Sequence, residues 1–284
     1  MNKIKILGKI LNITAPILPK KNREMAFKLL CKVNRIPISD DSLDFFNTAE
    51  TTYIELEKQK IALHKWGNGS KNILFLHGWM SHSKRWKPYV ESLDLTKYTL
   101  YSIDAPAHGL SSGKSLNIEA YRLAVTTAID KIGVIETLIC HSLGSLVGAY
   151  MYLSNPKIVI KSYIIMGAPS GMHSIFGYFQ EIIGINERTL KNLGVKVNSV
   201  LKVPSERLTL ANFFSKVKSP VLVIHEKSDS VTPFLPIEEA VLQNKEIETY
   251  FTTGQDHNLT GEETVEKVVE FINQPKKIEK VVCI

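Results

Sequence analysis

Cysteine is scarce in this sequence of 284 residues, which contains only Cys31, Cys140 and Cys283. Three cysteines so far apart exclude a disulfide framework and a cysteine-based zinc ribbon. Long hydrophobic runs are absent as well, since no stretch of about 18 apolar residues could cross a bilayer. Lys5 and Lys9 interrupt the apolar stretch that a signal peptide would need near the start. We therefore expect a cytoplasmic protein without stable membrane insertion.

The sequence also lacks a long uninterrupted run of positive charge, although it is basic overall. Lysine and arginine number 35 against 28 aspartates and glutamates, which gives a net charge of +7. The basic runs at 20–23 and 276–277 are short, and no nucleic-acid motif interleaves them with aromatic residues. We expect a solvated basic surface and no nucleic-acid partner. The alternative is that the charge favours an anionic surface or an anionic substrate.

Low-complexity sequence and internal repeats are missing too. The chain has 16 glycines and 12 prolines, with 44% hydrophobic and 22% charged residues. These values are typical of a globular enzyme and exclude collagen-like and disordered compositions. A chain of this length therefore buries a substantial core on its own.

Residues 1–48 are predicted to form an N-terminal helical extension. Ile4, Leu7, Ile10 and Leu11 recur at helical spacing near its start. We expect a short helix that packs on the body of the protein. The alternatives are a helix that caps the active site and a helix that contacts a membrane surface.

From residue 49 onward, short apolar runs alternate with longer amphipathic segments. The predicted strands are Thr51–Leu56, Lys60–Trp66, Ile73–Leu76, Thr99–Ile103, Thr137–Cys140, Lys161–Met166, Val221–Ile224 and Glu248–Phe251. The predicted helices are Arg85–Leu93, Ile118–Ile132, Ser145–Leu153, Leu235–Asn244 and Thr264–Asn273. The first two strands are expected to form an antiparallel hairpin. Strand and helix in alternation then predict an α/β fold, with a mostly parallel sheet and helices on both faces.

One interval interrupts this alternation. Residues 171–216 contain no strand-like run and show helical periodicity instead. We interpret them as a helical cap inserted over the carboxyl ends of the strands, where open α/β sheets bind ligands. The core is thereby divided into a first part, residues 49–170, and a second part, residues 217–284.

A serine lies between an apolar strand and an amphipathic helix, in the run Cys140-His141-Ser142-Leu143-Gly144. A serine at a sharp strand-to-helix turn has its hydroxyl held above the sheet, and the crowded turn needs small residues two places before and after it. Gly144 meets this requirement, and Cys140 occupies the place of the first glycine in Gly-x-Ser-x-Gly. The alternative is a serine that only caps the following helix.

Two further motifs precede this turn and follow successive strands. The first is His-Gly-Trp at 77–79, and the second is Asp-Ala-Pro-Ala-His-Gly-Leu-Ser at 104–111. Their order resembles the α/β-hydrolase family, which has His-Gly-aromatic, then Asp-x-Pro-Gly-His-Gly-x-Ser, then the serine turn. The resemblance covers about residues 50–273. It implies an α/β-hydrolase fold, with a sheet of eight strands, helices on both faces and a helical cap insertion.

Two residues depart from the family's pattern. Cys140 replaces the first glycine of the serine turn, which it could tighten slightly, and Ala107 replaces a glycine in the second motif. Neither change removes a reacting group. The resemblance also implies that Asp104 and His108 shape their loop and do not react.

The resemblance implies an acid and a base that follow Ser142 in the order Asp or Glu, then His. A serine hydroxyl attacks only when a nearby imidazole accepts its proton, and a carboxylate must orient that imidazole. Asp229 lies in the loop after the strand 221–224, where the family has its acid. Its neighbour Glu226 is expected to be a solvated loop carboxylate. His257 follows the last strand, where the family has its base, and a surface histidine is the alternative.

The family's oxyanion hole implies two backbone donors, the N–H groups of Trp79 and Leu143. The Trp79 ring is expected to form a wall of the substrate pocket, with a core aromatic as the alternative. The residues expected to line this pocket are His77, Gly78, His141, Phe176 and Phe179. For His77, support of the loop by hydrogen bonding is expected in preference to proton transfer.

These motifs predict a serine hydrolase that cleaves a carboxylic ester through an acyl-Ser142 intermediate, without metal or other cofactor. Hydrolysis of a thioester or of a carbon–carbon bond would use the same residues, and a non-catalytic scaffold that binds a ligand is a further alternative. A metal-dependent hydrolase is disfavoured, because the histidines lack the His-Glu-x-x-His spacing. The expected partner is a small-molecule ester or a related acyl compound, and the oligomeric state is left open.

Overall fold

The computed structural model describes residues 3–244 and 246–274, so Cys283 and the basic pair 276–277 lie outside the described residues. Eight strands form one sheet. They are β1 Glu50–Leu56, β2 Gln59–Trp66, β3 Lys71–Leu76, β4 Tyr98–Ile103, β5 Ile135–His141, β6 Ile160–Met166, β7 Val221–Glu226 and β8 Glu248–Thr252. Their order across the sheet is β1-β2-β4-β3-β5-β6-β7-β8.

The pairing of the strands is antiparallel at one edge and parallel elsewhere. β1 and β2 form the predicted hairpin, with Ile54 opposite Ile61, and β2 also runs antiparallel to β4. The pairs β4–β3, β3–β5, β5–β6, β6–β7 and β7–β8 are parallel. The carboxyl ends of these parallel strands therefore meet at one edge, where ligands bind in open α/β sheets. This arrangement confirms the predicted fold class.

Helices cover both faces of the sheet and extend beyond it. They are α1 Lys3–Ile17, α2 Pro19–Leu30, α3 Asp40–Asn47, α4 Lys87–Ser92, α5 Ile118–Ile132, α6 Leu143–Ser154, α7 Met172–Ile183, α8 Glu187–Asn198, α9 Leu210–Phe214, α10 Leu235–Leu242 and α11 Glu262–Asn273. None of the helices in the described part of the chain is both long enough and apolar enough to cross a membrane.

The core lies in two layers, because alternate residues of each strand point to opposite faces. In β3, Leu74 and Leu76 join the layer beneath α5 and α6, whereas Ile73 and Phe75 join the layer that includes Trp86 and the α11 side chains. Both layers are apolar, as expected for parallel strands that are covered on both faces.

The predicted helix at 85–93 is wrong at its start. A 3₁₀ turn occupies Ser83–Trp86, and α4 begins only at Lys87. Pro88 lies in the first turn of α4, where its missing N–H costs nothing, whereas a continuous helix would have needed that donor.

The N-terminal helices and the helices of 171–216 pack on one another. Asn12 of α1 donates to the Gly184 carbonyl (2.9 Å), and Asn192 of α8 donates to the Asn22 side chain of α2 (2.9 Å). α2 and α8 have the most extensive contact in this layer. The division of the chain at residues 48, 170 and 216 stays a prediction.

Candidate active site

Ser142 occupies the sharp turn between β5 and α6. Its φ of 52° and ψ of −123° fall in a region that costs non-glycine residues about 1–3 kcal/mol. The turn is crowded, because a Cβ added to Gly144 would stand 2.4 Å from the Leu76 carbonyl oxygen. A Cβ added to Gly78 would stand 2.7 Å from the Cβ of Ser142. Both glycines are therefore required by close backbone approach.

Cys140 fits into the turn because a second glycine makes room for it. Gly148 lies one turn into α6, and a Cβ added there would stand 2.9 Å from the Cys140 Sγ. Burial raises the pKa of the Cys140 thiol well above its ordinary value, so the group stays neutral. Gly148 on α6 thus provides the space that the larger Cys140 side chain needs in place of the motif's first glycine.

Ser142, His257 and Asp229 lie in one hydrogen-bonded line. The Ser142 Oγ is 3.0 Å from the His257 Nε2, and the His257 Nδ1 is 2.7 Å from the Asp229 Oδ2. These atoms come from the turn before α6 and from the loops after β8 and β7 respectively. Parallel pairing brings those loops to the same edge of the sheet. The tautomer that donates from Nδ1 leaves Nε2 as an acceptor for the serine proton.

Asp229 is held as a carboxylate by its donors. Burial by itself would raise the pKa of this side chain, but hydrogen bonds from His257 and Thr232 lower it to about 2. The Oδ1 accepts from the N–H groups of Val231 (2.8 Å) and Thr232 (2.9 Å). The Thr232 hydroxyl donates to Oδ2 (2.8 Å). The carboxylate is therefore fixed in place before any ligand binds.

Glu226 was expected to be solvated, and this expectation is wrong. Its side chain is only 1% exposed and accepts from Ser228, from the Thr252 hydroxyl (2.8 Å) and from the Gln255 N–H (3.0 Å). These hydrogen bonds outweigh burial and lower the pKa of Glu226 to about 2. Because Glu226 ends a buried strand, the next loop covers it.

The loop that carries His257 is fastened at two further points. The buried Nε2 of His141 donates to the His257 carbonyl (2.8 Å), and burial together with the charge of Arg85 lowers the pKa of His141 well below its ordinary value. Arg85 donates from Nη2 to the Asn258 carbonyl (2.7 Å) and lies 4.6 Å from the centre of the Trp86 ring. The motif reasoning missed Arg85 and Glu226, because both bind backbone atoms.

The two predicted oxyanion donors lie on either side of Ser142. Leu143 is the first residue of α6, so its N–H has no acceptor within the helix. Trp79 directly follows Gly78, whose backbone passes against Ser142, and its N–H donates to no other residue of the described part. Both groups are available to an incoming oxygen atom, and their catalytic role stays a prediction.

The loops below the site are held by neutral histidines. His77 is fully buried, donates from Nδ1 to the Gly78 carbonyl (2.7 Å) and accepts from the Ala105 N–H (2.9 Å). Burial lowers the pKa of His77 to about 3. His108 accepts from the Met80 N–H (3.1 Å), and its ring lies edge-on to Trp79 at 5.6 Å. These contacts connect the first two motifs.

Asp104 organises the second motif. It accepts from Ser83 twice (2.7 and 2.8 Å) and from the Leu110 N–H (2.8 Å), and it lies 3.1 Å from the His64 Nε2. Burial opposes ionisation, yet these partners keep the pKa of Asp104 below its ordinary value. In the same loop Ala107 has a φ of 67°, a conformation that the family's glycine adopts more easily.

A cleft of about 320 Å³ opens above Ser142. Its walls include Gly78, His141, His257, Trp79, Met80 and Arg85. Neither Phe176 nor Phe179, which were expected to line the pocket, borders this cleft. Phe179 is 8% exposed and joins the apolar layer that includes Leu11 and Ala26, because α7 packs against α1. His77 lies beneath the cleft and does not line it.

In the described part of the chain, metal-ligating side chains do not cluster. Across residues 3–244 and 246–274, no three His, Cys, Asp or Glu side chains gather as metal ligands. The nitrogen atoms of His77 and His108 are both engaged in the loop contacts described above.

Comparison with known proteins gives one family and several structural likenesses. A model described as "Alpha/beta hydrolase family" matches residues 73–215. Over 103 residues the chain is 28% identical to the pimeloyl-[acyl-carrier protein] methyl ester esterase of Nitrosomonas europaea, a match that covers 36% of this chain and only 39% of that protein.

Two solved structures illustrate the likeness in fold. An esterase of Pyrococcus furiosus has a TM-score of 0.62 at 19% identity, over 85% of this chain and 96% of that chain. The thioesterase domain from the curacin biosynthetic pathway has a TM-score of 0.58 at 14% identity, over 79% of this chain and 99% of that chain. At such identities the likeness concerns the fold.

Proposed function

The chain belongs to the alpha/beta hydrolase family, and from this premise we propose that it is a serine hydrolase that cleaves a carboxylic ester. The observation that carries the proposal is the line of hydrogen bonds from Ser142 through His257 to Asp229. The backbone strain at Ser142 supports it, because such strain is typical of functional residues.

In the first step, the Ser142 Oγ attacks the carbonyl carbon of the ester while the His257 Nε2 takes the hydroxyl proton. The carbonyl oxygen becomes an oxyanion, which the N–H groups of Leu143 and Trp79 stabilise by about 3–4 kcal/mol each. The intermediate then collapses. The bond to the alcohol oxygen breaks, and the leaving alcohol receives the proton from Nε2.

In the second step, a water molecule attacks the acyl-Ser142 ester. The His257 Nε2 accepts a proton from the water and returns it to the Ser142 Oγ as the acid leaves. Asp229 orients the imidazole and stabilises its charged form, which its low pKa of about 2 allows at neutral pH. A carboxylic acid, an alcohol and free enzyme result.

The size of the cleft, about 320 Å³, favours acyl groups of short or medium length. Hydrolysis of p-nitrophenyl esters of graded acyl length tests this proposal. We expect turnover that the Ser142→Ala variant lowers by about 10⁴-fold or more. The Ser215→Ala variant is the matched control, since that serine is exposed at the end of α9.

Turnover that survives in Ser142→Ala would overturn the serine mechanism. If the wild type cleaved no ester, labelling by a fluorophosphonate probe would separate the alternatives. A label that depends on Ser142 would leave an active serine and redirect the search to thioesters and carbon–carbon bonds. A chain that is not labelled would be a non-catalytic scaffold.

A further inference from the structure

Helix α1 rests on the protein through a narrow inward face. Leu11 is buried there, beside Gly8, where an added Cβ would stand 2.0 Å from the Ile183 carbonyl oxygen. Asn12 lies on the same face and donates to the Gly184 carbonyl (2.9 Å). The helix is therefore held by close backbone approach and by polar contacts, and little of its apolar surface is used for packing.

The outward face of α1 carries large apolar side chains. Ile6, Ile10, Ile13 and Ile17 follow helical spacing, so they lie along one side of the helix. Ile13 is 66% exposed and Ile17 is 70% exposed. A surface helix normally turns such a stripe inward, and a contiguous exposed apolar patch marks an interaction site.

Positive charge is concentrated in the same part of the chain. Residues 1–35 contain nine lysines and arginines and a single acid, Glu24, which gives +8, whereas the whole chain has +7. Lys196 neutralises Glu24 at 2.9 Å. The basic character of the protein is therefore that of its N-terminal segment, and the rest of the chain is nearly neutral.

A groove joins the apolar residues to the basic ones. It has a volume of about 730 Å³, and Leu7 and Ile10 of α1 form one of its walls. Lys28, Lys32 and Lys114 border it, and none of these three has a carboxylate within 4 Å in the described part of the chain. Leu7 and Ile10 of α1 therefore share this groove with three lysines that have no carboxylate partner among the described residues.

We propose that α1 and α2 dock this protein on the surface of an anionic phospholipid bilayer. The isoleucines of α1 enter the boundary between headgroups and acyl chains, and the lysines bind the headgroup phosphates. A symmetric pairing of two copies through this face would oppose two segments of charge +8. Charge complementarity therefore selects the lipid surface over a second copy of the chain.

The docked face adjoins the cleft above Ser142. Arg35 borders the groove, and the next residue, Ile36, borders the cleft. A bound membrane would therefore lie beside the entrance to the cleft. The position of the membrane beside the cleft rests on the proposed function, because it matters only if Ser142 reacts with a substrate. Docking itself can be measured without any hydrolysis.

The test is co-sedimentation of the full-length protein with vesicles. One set contains phosphatidylcholine alone, and the other contains phosphatidylcholine mixed with phosphatidylglycerol. We expect binding to the anionic vesicles to be at least about tenfold tighter and to weaken as salt is raised, because the lysines act through screened charge. Equal binding to both sets, or none to either, would overturn the proposal.

Two pairs of substitutions separate the apolar and the electrostatic contributions. The double variant Ile13→Ser/Ile17→Ser should lower binding by about tenfold or more, since each side chain is already exposed and the fold does not need it. The matched control is Val159→Ser/Leu242→Ser, because these side chains are 66% and 70% exposed. It should bind as the wild type does.

The double variant Lys28→Gln/Lys32→Gln should lower binding by about 25-fold, at about a factor of five per lysine. Lys157→Gln/Lys218→Gln, at exposed sites elsewhere, is its control. The molar mass of the protein in solution tests the alternative, in which two copies of the chain pair through this face. A dimer that Ile13→Ser/Ile17→Ser converts to a monomer would assign this face to a second copy. Hydrolysis of a soluble ester should be the same in all four variants, so failure of docking is distinct from failure of the proposed function.

Discussion

Single residues near Ser142 serve mainly to hold loops in place. Glu226, His141 and Arg85 each bind the loop between β8 and α11, and they do so through its backbone. Three independent anchors hold the imidazole of His257 within hydrogen-bond reach of Ser142. Such support is what a reacting group needs, because small displacements of it are costly in rate.

Glu226→Gln tests the first of these anchors. The amide NH₂ of the new side chain would face donors in place of an acceptor, so we expect the free energy of unfolding to fall by about 2–4 kcal/mol. At temperatures where the variant is folded, kcat for an ester should fall by about tenfold, because the His257 loop is released. Urea unfolding and steady-state kinetics measure the two effects.

The control for this prediction is Glu239→Gln, at an exposed position of α10. Its stability should lie within about 0.5 kcal/mol of the wild type. A Glu226→Gln variant as stable as this control would show that the carboxylate does not anchor the loop.

The sequence predicted the three central residues of the site but not their supports. Ser142, Asp229 and His257 each follow a recognisable strand, so their meeting at one edge of the sheet could be expected. Glu226 could not be recognised in the same way, because its partners Thr252 and Gln255 lie 26 and 29 residues further on. A carboxylate next to a loop is expected to be solvated, because the sequence does not show which distant residues cover it.

At the scale of elements, the turn from β5 into α6 depends on a matched pair of small residues. Cys140 replaces a glycine of the motif, and Gly148 leaves the space for its sulfur. A glycine inside a helix ordinarily costs about 1 kcal/mol relative to alanine. Helix α6 therefore contains an unfavourable glycine at position 148, and this glycine leaves room for Cys140 in β5.

Gly148→Ala should consequently destabilise the protein by about 1–2 kcal/mol, since the clash with the buried Cys140 Sγ exceeds the gain in helix propensity. In a Cys140→Gly background the same substitution should be neutral or stabilising. A double-mutant cycle measured by chemical unfolding gives the coupling energy, which we expect to be at least about 1 kcal/mol. Additive effects of the two substitutions would refute the pairing.

Helix α7 does not border the cleft above Ser142, although its sequence predicts that it does. The spacing of its aromatic residues predicts an apolar helix face, and Phe176 and Phe179 on that face are expected to line the substrate pocket. In the structure Phe179 packs into the layer shared with the N-terminal helices. Periodicity indicates that a face is buried and does not indicate what buries it.

For the whole molecule, we expect the response to acid to depend mainly on five histidines whose pKa values are lowered. The pKa values of His77, His82, His108, His141 and His225 are all lowered, chiefly by burial. A group whose folded pKa lies below its unfolded pKa contributes stability that is present above the unfolded value, near 6.5 for histidine, and is lost as the pH falls.

We therefore expect the free energy of unfolding to decrease from about pH 6.5 downward. Each buried histidine adds a slope of about 1.4 kcal/mol per pH unit at full effect, and His77 continues to contribute down to its folded pKa of about 3. Asp229 and Glu226 add to the loss below about pH 4. Urea unfolding between about pH 7 and pH 3 measures the curve.

A His141→Gln variant keeps a donor for the His257 carbonyl and removes one titrating group. Below pH 6.5, the free energy of unfolding of this variant should therefore depend less steeply on pH than that of the wild type, by about 1.4 kcal/mol per pH unit, which is the contribution of one proton. Stability that stays constant from pH 7 to pH 5 in the wild type would contradict the assignment of these histidines as buried and neutral.

The sequence by itself determined the order of strands and helices, the fold class and the family, because short apolar runs and local motifs record which residues end each strand. Only the tertiary structure decided what covers Glu226, what α7 packs against, and which side of α1 is left outside. The physical reason is that motifs act over a few residues, whereas burial depends on segments that meet from distant parts of the chain. Helix α1 illustrates this. The spacing of Ile4, Leu7, Ile10 and Leu11 predicts a helix that packs on the body of the protein, yet of these four only Leu11 is buried.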